Sequence, residues 1–216
     1  NRYDKYTKKS WKYRNKRKNI IMEKDRKLPV YTLVLKDGMD EESGVDYVAL
    51  VDEPAIERNW FAFKKEFKFK ADEERKIITG CLMIADLPIY RRSEAMGEFY
   101  VVFDKGQIEL MVQRFMKLGF QSNVNEMHDS NKRVSGVTMF ESFIVDSQRG
   151  IKAPTGFENI TEGSWFGSYK VDNPEIWAKV KDGSFMGFSV EGMFDLVPQK
   201  AELESKIIDI IEAIQS

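Results

Sequence analysis

The chain has 216 residues, of which 42% are hydrophobic and 12% aromatic, a composition typical of globular proteins and not of disordered ones. No stretch approaches the roughly 20 apolar residues that a membrane-spanning helix needs. The net charge is −1, and the chain contains one cysteine, Cys81, and one histidine, His128. An internal disulfide is therefore excluded, and these counts argue against a structural zinc or iron–sulfur site, so we expect no metal and no cofactor.

The near-zero net charge hides a basic N-terminal tail. Residues 1–27 hold twelve Lys or Arg and three Asp or Glu, which leaves 22 basic (34 less 12) and 32 acidic (35 less 3) residues in the remainder. Trp11 and Tyr13 stand among the cations of the tail, a mixture that can bind nucleic acid. The commoner role of such a block is a solvated tail or one that docks on an acidic surface. Both interpretations stay open.

Short strands follow the tail. Alternating or continuous apolar runs bounded by turn residues predict β-strands in the first half of the chain. The predicted strands are 30–36, 45–51, 58–70, 76–85 and 98–103.

Two segments have the pattern of helices. Apolar residues at 108, 111, 112, 115 and 118 form one helical stripe, with Asp104 as a candidate N-cap and Gly119 as a candidate stop. Asn173 precedes Pro174 and Glu175, which is the start signal of a short helix over 174–181. The pattern predicts that this second helix ends at Asp182 and Gly183.

The second half of the chain contains further predicted strands. We expect 123–128 and 134–146 to pair across the polar turn 129–133, and we expect strands at 164–171 and 184–196. The apolar residues of the last segment, 198–216, recur at spacings of 4, 3 and 4, as in a helical seam. That helix either folds back on the core or associates with a second copy. The prediction is an α+β protein with a mostly antiparallel sheet or barrel, divided into a tail (1–27), a central domain (28–197) and a terminal helix (198–216).

His128 and Ser189 are the candidate catalytic pair. A serine hydroxyl becomes a nucleophile when a base takes its proton, and His128 is the only imidazole in the chain. Ser189 stands between Gly187 and Gly192 in a predicted strand. Glycines permit close approach of the backbone and expose N–H groups, which a tetrahedral intermediate needs. Neither residue alone is a specific signal, since glycines in strands often mark bulges.

Glu141 is the first candidate to orient the imidazole, because it lies among aromatic residues in an apolar strand and needs a partner if buried. In a simple hairpin it would lie about 20 Å from His128, at about 3.3 Å per residue, so Asp46 is the competing candidate. Arg91 and Arg92 form a predicted loop pair that could bind a carboxylate or support an oxyanion. Cys81 lies in an apolar run and is interpreted as a core residue.

Several blocks in a fixed order resemble the phage prohead (capsid-maturation) serine proteases, in the variant found in defective Bacillus prophages. The likeness spans about residues 28–196. The blocks are Val45-Asp46-Tyr47-Val48-Ala49-Leu50-Val51-Asp52-Glu53-Pro54-Ala55-Ile56, Ile89-Tyr90-Arg91, Glu98-Phe99-Tyr100-Val101-Val102-Phe103, Asn123-Val124-Asn125-Glu126-Met127-His128, Glu141-Ser142-Phe143-Ile144, Gly163-Ser164-Trp165, Trp177-Ala178-Lys179-Val180-Lys181 and Gly187-Phe188-Ser189-Val190-Glu191-Gly192.

The resemblance implies a β-barrel similar to that of herpesvirus assembly proteases, with Ser189 as nucleophile and His128 as general base. It implies cleavage of scaffold or major capsid (coat) protein in the host cytoplasm, inside the procapsid. In the commoner prohead proteases the segment like 47–55 follows the serine and supplies a Glu or His as third catalytic member. Here that segment precedes the histidine, and Tyr47 stands at the corresponding position.

The alternative function is that of a non-catalytic virion or assembly protein with the same fold. Its basic tail would contact nucleic acid or the portal, and its terminal helix would bind a partner or a second copy of the chain. No membrane partner is expected under either interpretation.

Overall fold

A computed structural model describes residues 28–36, 43–52 and 68–199, together with the helical residues Ile207, Ile208, Ile210 and Ile211. The basic tail and most of the predicted strand 58–70 lie outside the described residues. No helix in the described part of the chain has the length and apolar character that crossing a bilayer requires.

The described residues are mostly β-structure. Two helices interrupt the strands, α1 (Lys105–Lys117) and α2 (Pro174–Lys181). The strands are β1 (Val30–Val34), β2 (Gly44–Val51), β3 (Lys70–Asp72), β4 (Ile77–Met83), β5 (Ile89–Ser93), β6 (Gly97–Val102), β7 (Val124–Glu126), β8 (Asp129–Val134), β9 (Val137–Ile144), β10 (Trp165–Val171), β11 (Gly187–Met193) and β12 (Asp195–Pro198).

These strands form three sheets of four strands each. The first sheet has the order β12-β1-β6-β5, the second β11-β2-β7-β8 and the third β3-β4-β10-β9. The α+β class is therefore confirmed, but the predicted closed barrel is not found: in the described part of the chain the sheets are open. Most pairs are antiparallel, whereas β1–β6 and β2–β7 are parallel. Parallel neighbours need long crossover connections, and both parallel pairs join strands that are far apart in the chain.

Both predicted helices are confirmed at their ends. The Asp104 side chain accepts a hydrogen bond from the backbone N–H of Gln107 at 2.9 Å, and Gly119 has a positive φ of 74° after the last turn of α1. The Asn173 side chain accepts from two backbone N–H groups of the first turn of α2. These caps satisfy N–H groups that have no partner inside the helix.

The predicted hairpin between 123–128 and 134–146 is wrong. Strand β7 pairs instead with β8, which was predicted to be a turn, and β9 pairs with β10. The predicted loop around Arg91 and Arg92 is also wrong, because these residues lie in β5, an outer strand of the first sheet.

The main core lies where α1 meets β2 and β10. Ile108 and Phe115 of α1 are fully buried, and the Phe115 ring meets that of Trp165 of β10 with centroids 5.3 Å apart. A separate cluster on the first sheet joins Tyr100 and Val102 to Ile207 of the last segment. The first sheet therefore carries a helical residue on the face that includes Tyr100.

Candidate active site

Strand β11 positions Ser189. Its neighbour Phe188 packs into the core against the rings of Phe69 and Tyr169. Because successive side chains of a strand point to opposite faces, Ser189 and Glu191 share the other face of β11. Ser189 pairs with Ala49 of β2 and is buried. The nucleophile candidate is thus held in the interior of a paired strand and not on a mobile loop.

A β-bulge lies directly after Glu191 in β11. The register of β11 against β2 shifts between Glu191 and Gly192. A Cβ atom at Gly192 would lie 1.7 Å from the carbonyl oxygen of Gly44, so only glycine fits this close approach of two backbones. Gly192 therefore marks the position, directly after Glu191, at which β11 departs from a regular strand path.

His128 lies in a two-residue turn between β7 and β8. Both turn residues have positive φ, 53° for Met127 and 61° for His128, the pattern of a type I′ hairpin turn. For residues other than glycine this conformation costs roughly 1–2 kcal/mol each. The Met127 N–H donates to the Leu50 carbonyl of β2 at 3.0 Å. The imidazole is therefore held at a tight turn that the second sheet anchors.

Glu191 joins the two strands at the imidazole. Its Oε1 lies 2.9 Å from Nδ1 of His128 and accepts a hydrogen bond from Nδ2 of Asn125 at 2.8 Å. Asn125 is buried on β7. An acceptor at Nδ1 favours the tautomer with the proton on that nitrogen, which leaves Nε2 with a free lone pair. The arrangement prepares Nε2 to act as a base.

Ser189, His128 and Glu191 line the same cavity, which has a volume of about 780 Å³. Most of its other lining residues are apolar, and the first sheet contributes Leu33, Phe99 and Val101 among them. The exposed fraction of the His128 side chain is 36% and that of Glu191 is 27%. The imidazole is therefore accessible from solvent, while the apolar walls strengthen electrostatic interactions inside the cavity. A hydroxyl, an oriented imidazole and a carboxylate are the groups that serine acyl transfer requires.

The structure does not bring Glu141 to His128. Glu141 lies exposed on β9 of the third sheet, opposite Ser168 and within the electrostatic influence of Arg75. A register shift between β9 and β10 at this point interrupts the alternation of inward and outward residues. The carboxylate is exposed and needs no buried partner, and in the candidate site we replace Glu141 with Glu191.

Asp46, the competing candidate, has other partners. Its Oδ1 lies 3.3 Å from Nη1 of Arg114 on α1, and its carbonyl accepts from Nδ2 of Asn123 at 3.0 Å. Tyr47, the position that the resemblance implies for the third catalytic member, is paired in register with Glu191 of β11. The candidate third member, Glu191, therefore lies on β11, the strand of Ser189, directly across from Tyr47 on β2.

Sequence reasoning missed Glu191, although the chain contained a signal for it. Glu191 stands two residues after Ser189 in a predicted strand, and a period of two places both side chains on one face. What the period did not indicate is that this face meets the turn that carries His128.

Among the described residues, neither Cys81 nor a metal-binding cluster provides a second reactive site. Cys81 is buried, as predicted, and burial raises the pKa of its thiol well above its usual value. Among the residues that the structure describes, no three or more His, Cys, Asp or Glu side chains are grouped so that they could hold a metal ion.

A comparison with protein families matches residues 64–197 to the family described as "Putative phage serine protease XkdF". The matched range includes His128, Ser189 and Glu191. No curated protein and no solved structure matches the chain.

Proposed function

The chain belongs to the phage family described as "Putative phage serine protease XkdF", and from that membership we propose that it is a serine endopeptidase of capsid maturation. Its substrates in this proposal are the scaffold protein, the coat protein or both, cleaved inside the immature capsid. The supporting observation is that Ser189 and His128 line one cavity, with Glu191 at the Nδ1 atom of the imidazole.

The proposed reaction has two steps. Nε2 of His128 takes the proton of Ser189 as Oγ attacks the carbonyl carbon of the scissile peptide bond. The imidazolium then gives that proton to the leaving amine, the C–N bond breaks and an acyl-enzyme remains. In the second step a water molecule, deprotonated by the same nitrogen, hydrolyses the ester and restores Ser189. Glu191 stabilises the imidazolium in both steps.

Two observations support a role in capsid maturation: the family, and the ordered blocks of sequence that resemble phage prohead serine proteases. Scaffold and coat proteins are chains that a protease enclosed in a capsid would meet at high local concentration. The basic tail, for which contact with nucleic acid was the alternative role, lies outside the described residues and carries no part of this proposal.

The test uses two separate samples of the purified chain, one labelled covalently with a fluorophosphonate and one left unlabelled and incubated with scaffold and coat protein of the same phage. We expect labelling at Ser189 and cleavage of at least one of the two proteins. Ser189→Ala is expected to abolish both. Ser168→Ala is the matched control, because Ser168 is also buried in a strand but lies in the third sheet.

Two outcomes would contradict the proposal. Cleavage that survives in the Ser189→Ala protein would assign the activity to another residue or to a contaminant. A wild-type chain that is folded but neither labels nor cleaves would instead favour the non-catalytic assembly protein.

A further inference from the structure

Arg91 lies on the cavity face of the first sheet. It is paired in register with Phe99 of β6, as Ile89 is with Val101, and all four residues line the cavity that contains Ser189. Arg92, the next residue, is exposed and does not line the cavity. Two adjacent arginines of one strand therefore have different surroundings, one the cavity and the other solvent.

The guanidinium of Arg91 is partly removed from water, and no anionic side chain of the described residues pairs with it. Burial lowers its pKa from the ordinary value, although an arginine remains protonated at any physiological pH. Nη1 donates to the carbonyl of Tyr90 at 3.0 Å. Among the described residues no carboxylate lies within ion-pair distance of Arg91, and Glu191, the carboxylate of the cavity, is engaged by His128 and Asn125. Four of the five N–H donors of Arg91 make no hydrogen bond within the described part of the chain and can bind a ligand.

A half-buried cation between apolar walls favours an anion that enters the cavity, because pairing offsets its loss of hydration. The planar fork of a guanidinium matches a carboxylate in particular, with two parallel hydrogen bonds. The peptide that reaches Ser189 must pass through the cavity that Arg91 lines. A carboxylate side chain near the scissile bond is therefore the complementary group.

We propose that Arg91 determines substrate specificity by binding a Glu or Asp side chain of the peptide, at one fixed position relative to the bond that is cleaved. The proposal rests on the proposed endopeptidase function and names its substrate class. A neutral residue at the same position leaves the guanidinium unpaired, so we expect about 10- to 100-fold discrimination in kcat/KM between Glu and its isostere Gln.

The experiment uses the full chain and a mixed library of synthetic peptides, acetylated and amidated so that side chains carry the only carboxylates. Cleavage positions are read by mass spectrometry. We expect Glu and Asp to be enriched at one position in the products of the wild type and of Arg92→Met, the matched control. Arg91→Met is expected to lose that enrichment, and Arg91→Glu to prefer Lys or Arg at the same position.

The peptide-library experiment also distinguishes a role of Arg91 in substrate specificity from a role in catalysis. If Arg91 stabilised the oxyanion, Arg91→Met would slow the cleavage of all peptides equally and the acidic preference would persist, which would overturn the proposal. Absence of an acidic preference in the wild type would overturn it as well. Circular dichroism of each variant shows whether a lost preference is due to unfolding, and Arg91→Lys, which keeps the charge, is expected to retain part of the preference.

Binding tests the proposal independently of catalysis. Two pools of acetylated and amidated hexapeptides, identical except for Glu or Gln at the third position and free of other acidic residues, are titrated into the Ser189→Ala protein in a calorimeter. At least tenfold tighter binding of the Glu pool, lost in Ser189→Ala/Arg91→Met, supports the acidic subsite even if the wild type cleaves nothing. Equal binding of the two pools would overturn it, whether or not the chain is a protease.

Discussion

At the scale of single residues, Glu191 connects the candidate site. Its Oε1 lies 2.9 Å from Nδ1 of His128 and accepts a hydrogen bond from Nδ2 of Asn125 at 2.8 Å. Its carboxylate is thus fixed by a buried side chain on one side and fixes the imidazole on the other. The acid stands on the same strand as Ser189, so one element carries both the proposed nucleophile and the carboxylate that orients the imidazole.

Glu191→Gln tests this arrangement. A neutral amide is a weaker acceptor for Nδ1–H and does not stabilise the imidazolium, so we expect kcat/KM on the protease substrate to fall about 10²- to 10⁴-fold. The same change at Glu141, Glu141→Gln, serves as the control and is expected to leave kcat/KM within about twofold, since surface substitutions are usually neutral. The reverse pattern, with the loss at Glu141, would restore the original candidate.

At the scale of elements, the β7–β8 turn positions the imidazole. Two consecutive non-glycine residues with positive φ are strained, and such strain persists only where the surrounding structure imposes it. Here β7 is held by β2 on one side and by β8 on the other. Lys179 of α2 adds an ion pair to Glu126, the last residue of β7, at 2.7 Å. The site therefore uses a rigid turn between paired strands to present its base.

Met127→Asn should relieve part of this strain. Asparagine adopts positive φ more readily than methionine and is favoured at this position of a type I′ turn, so we expect the free energy of unfolding to rise by about 0.5–1 kcal/mol in urea titration. Met96→Asn is the matched control, because Met96 has a similar exposed fraction, 40% against 38%, and is not among the residues with positive φ. An equal gain in both variants would mean that the turn is unstrained.

At the scale of the whole molecule, the first sheet separates the cavity from the last helical segment. Its Phe99 and Val101 face the cavity, while Tyr100 and Val102 pack against Ile207. A fold that buries both faces of one sheet keeps the cavity wall, and Arg91 with it, in a fixed position relative to β11. The two interpretations of the terminal helix, folding back or self-association, can be separated by stability measurements.

Ile207→Ala is expected to lower the free energy of unfolding by about 2–3 kcal/mol, because a buried isoleucine loses most of its contacts. Ile210→Ala, at a side chain that is 40% exposed, is the control and should change it by less than about 0.5 kcal/mol. Unfolding is measured at two protein concentrations tenfold apart. A loss that shrinks as the protein is diluted would show that Ile207 is stabilised by a second copy, because the association itself is lost on dilution.

The sequence predictions were correct for features that depend on neighbouring residues and wrong for features that depend on residues far apart in the chain. Helices α1 and α2 were predicted with their caps, since Asp104 and Asn173 act on N–H groups two or three residues away. The predicted partner of β7 was wrong, because the pairing of two strands depends on contacts that the sequence of neither strand shows. Arg91 was assigned to a loop since a short strand of mixed polarity, half facing a cavity and half facing solvent, has a weak pattern.

The residue types of the chemistry can be read from the chain alone: one imidazole, a serine bracketed by glycines and an order of blocks typical of a phage protease family. The fold was needed to show which carboxylate meets the imidazole and which arginine faces the cavity. Side-chain identity is local, whereas the pairing of charges depends on strand register and on bulges. The shift beside Glu141 is one such bulge, whereas Glu191 precedes the shift at Gly192 and so keeps the face of Ser189.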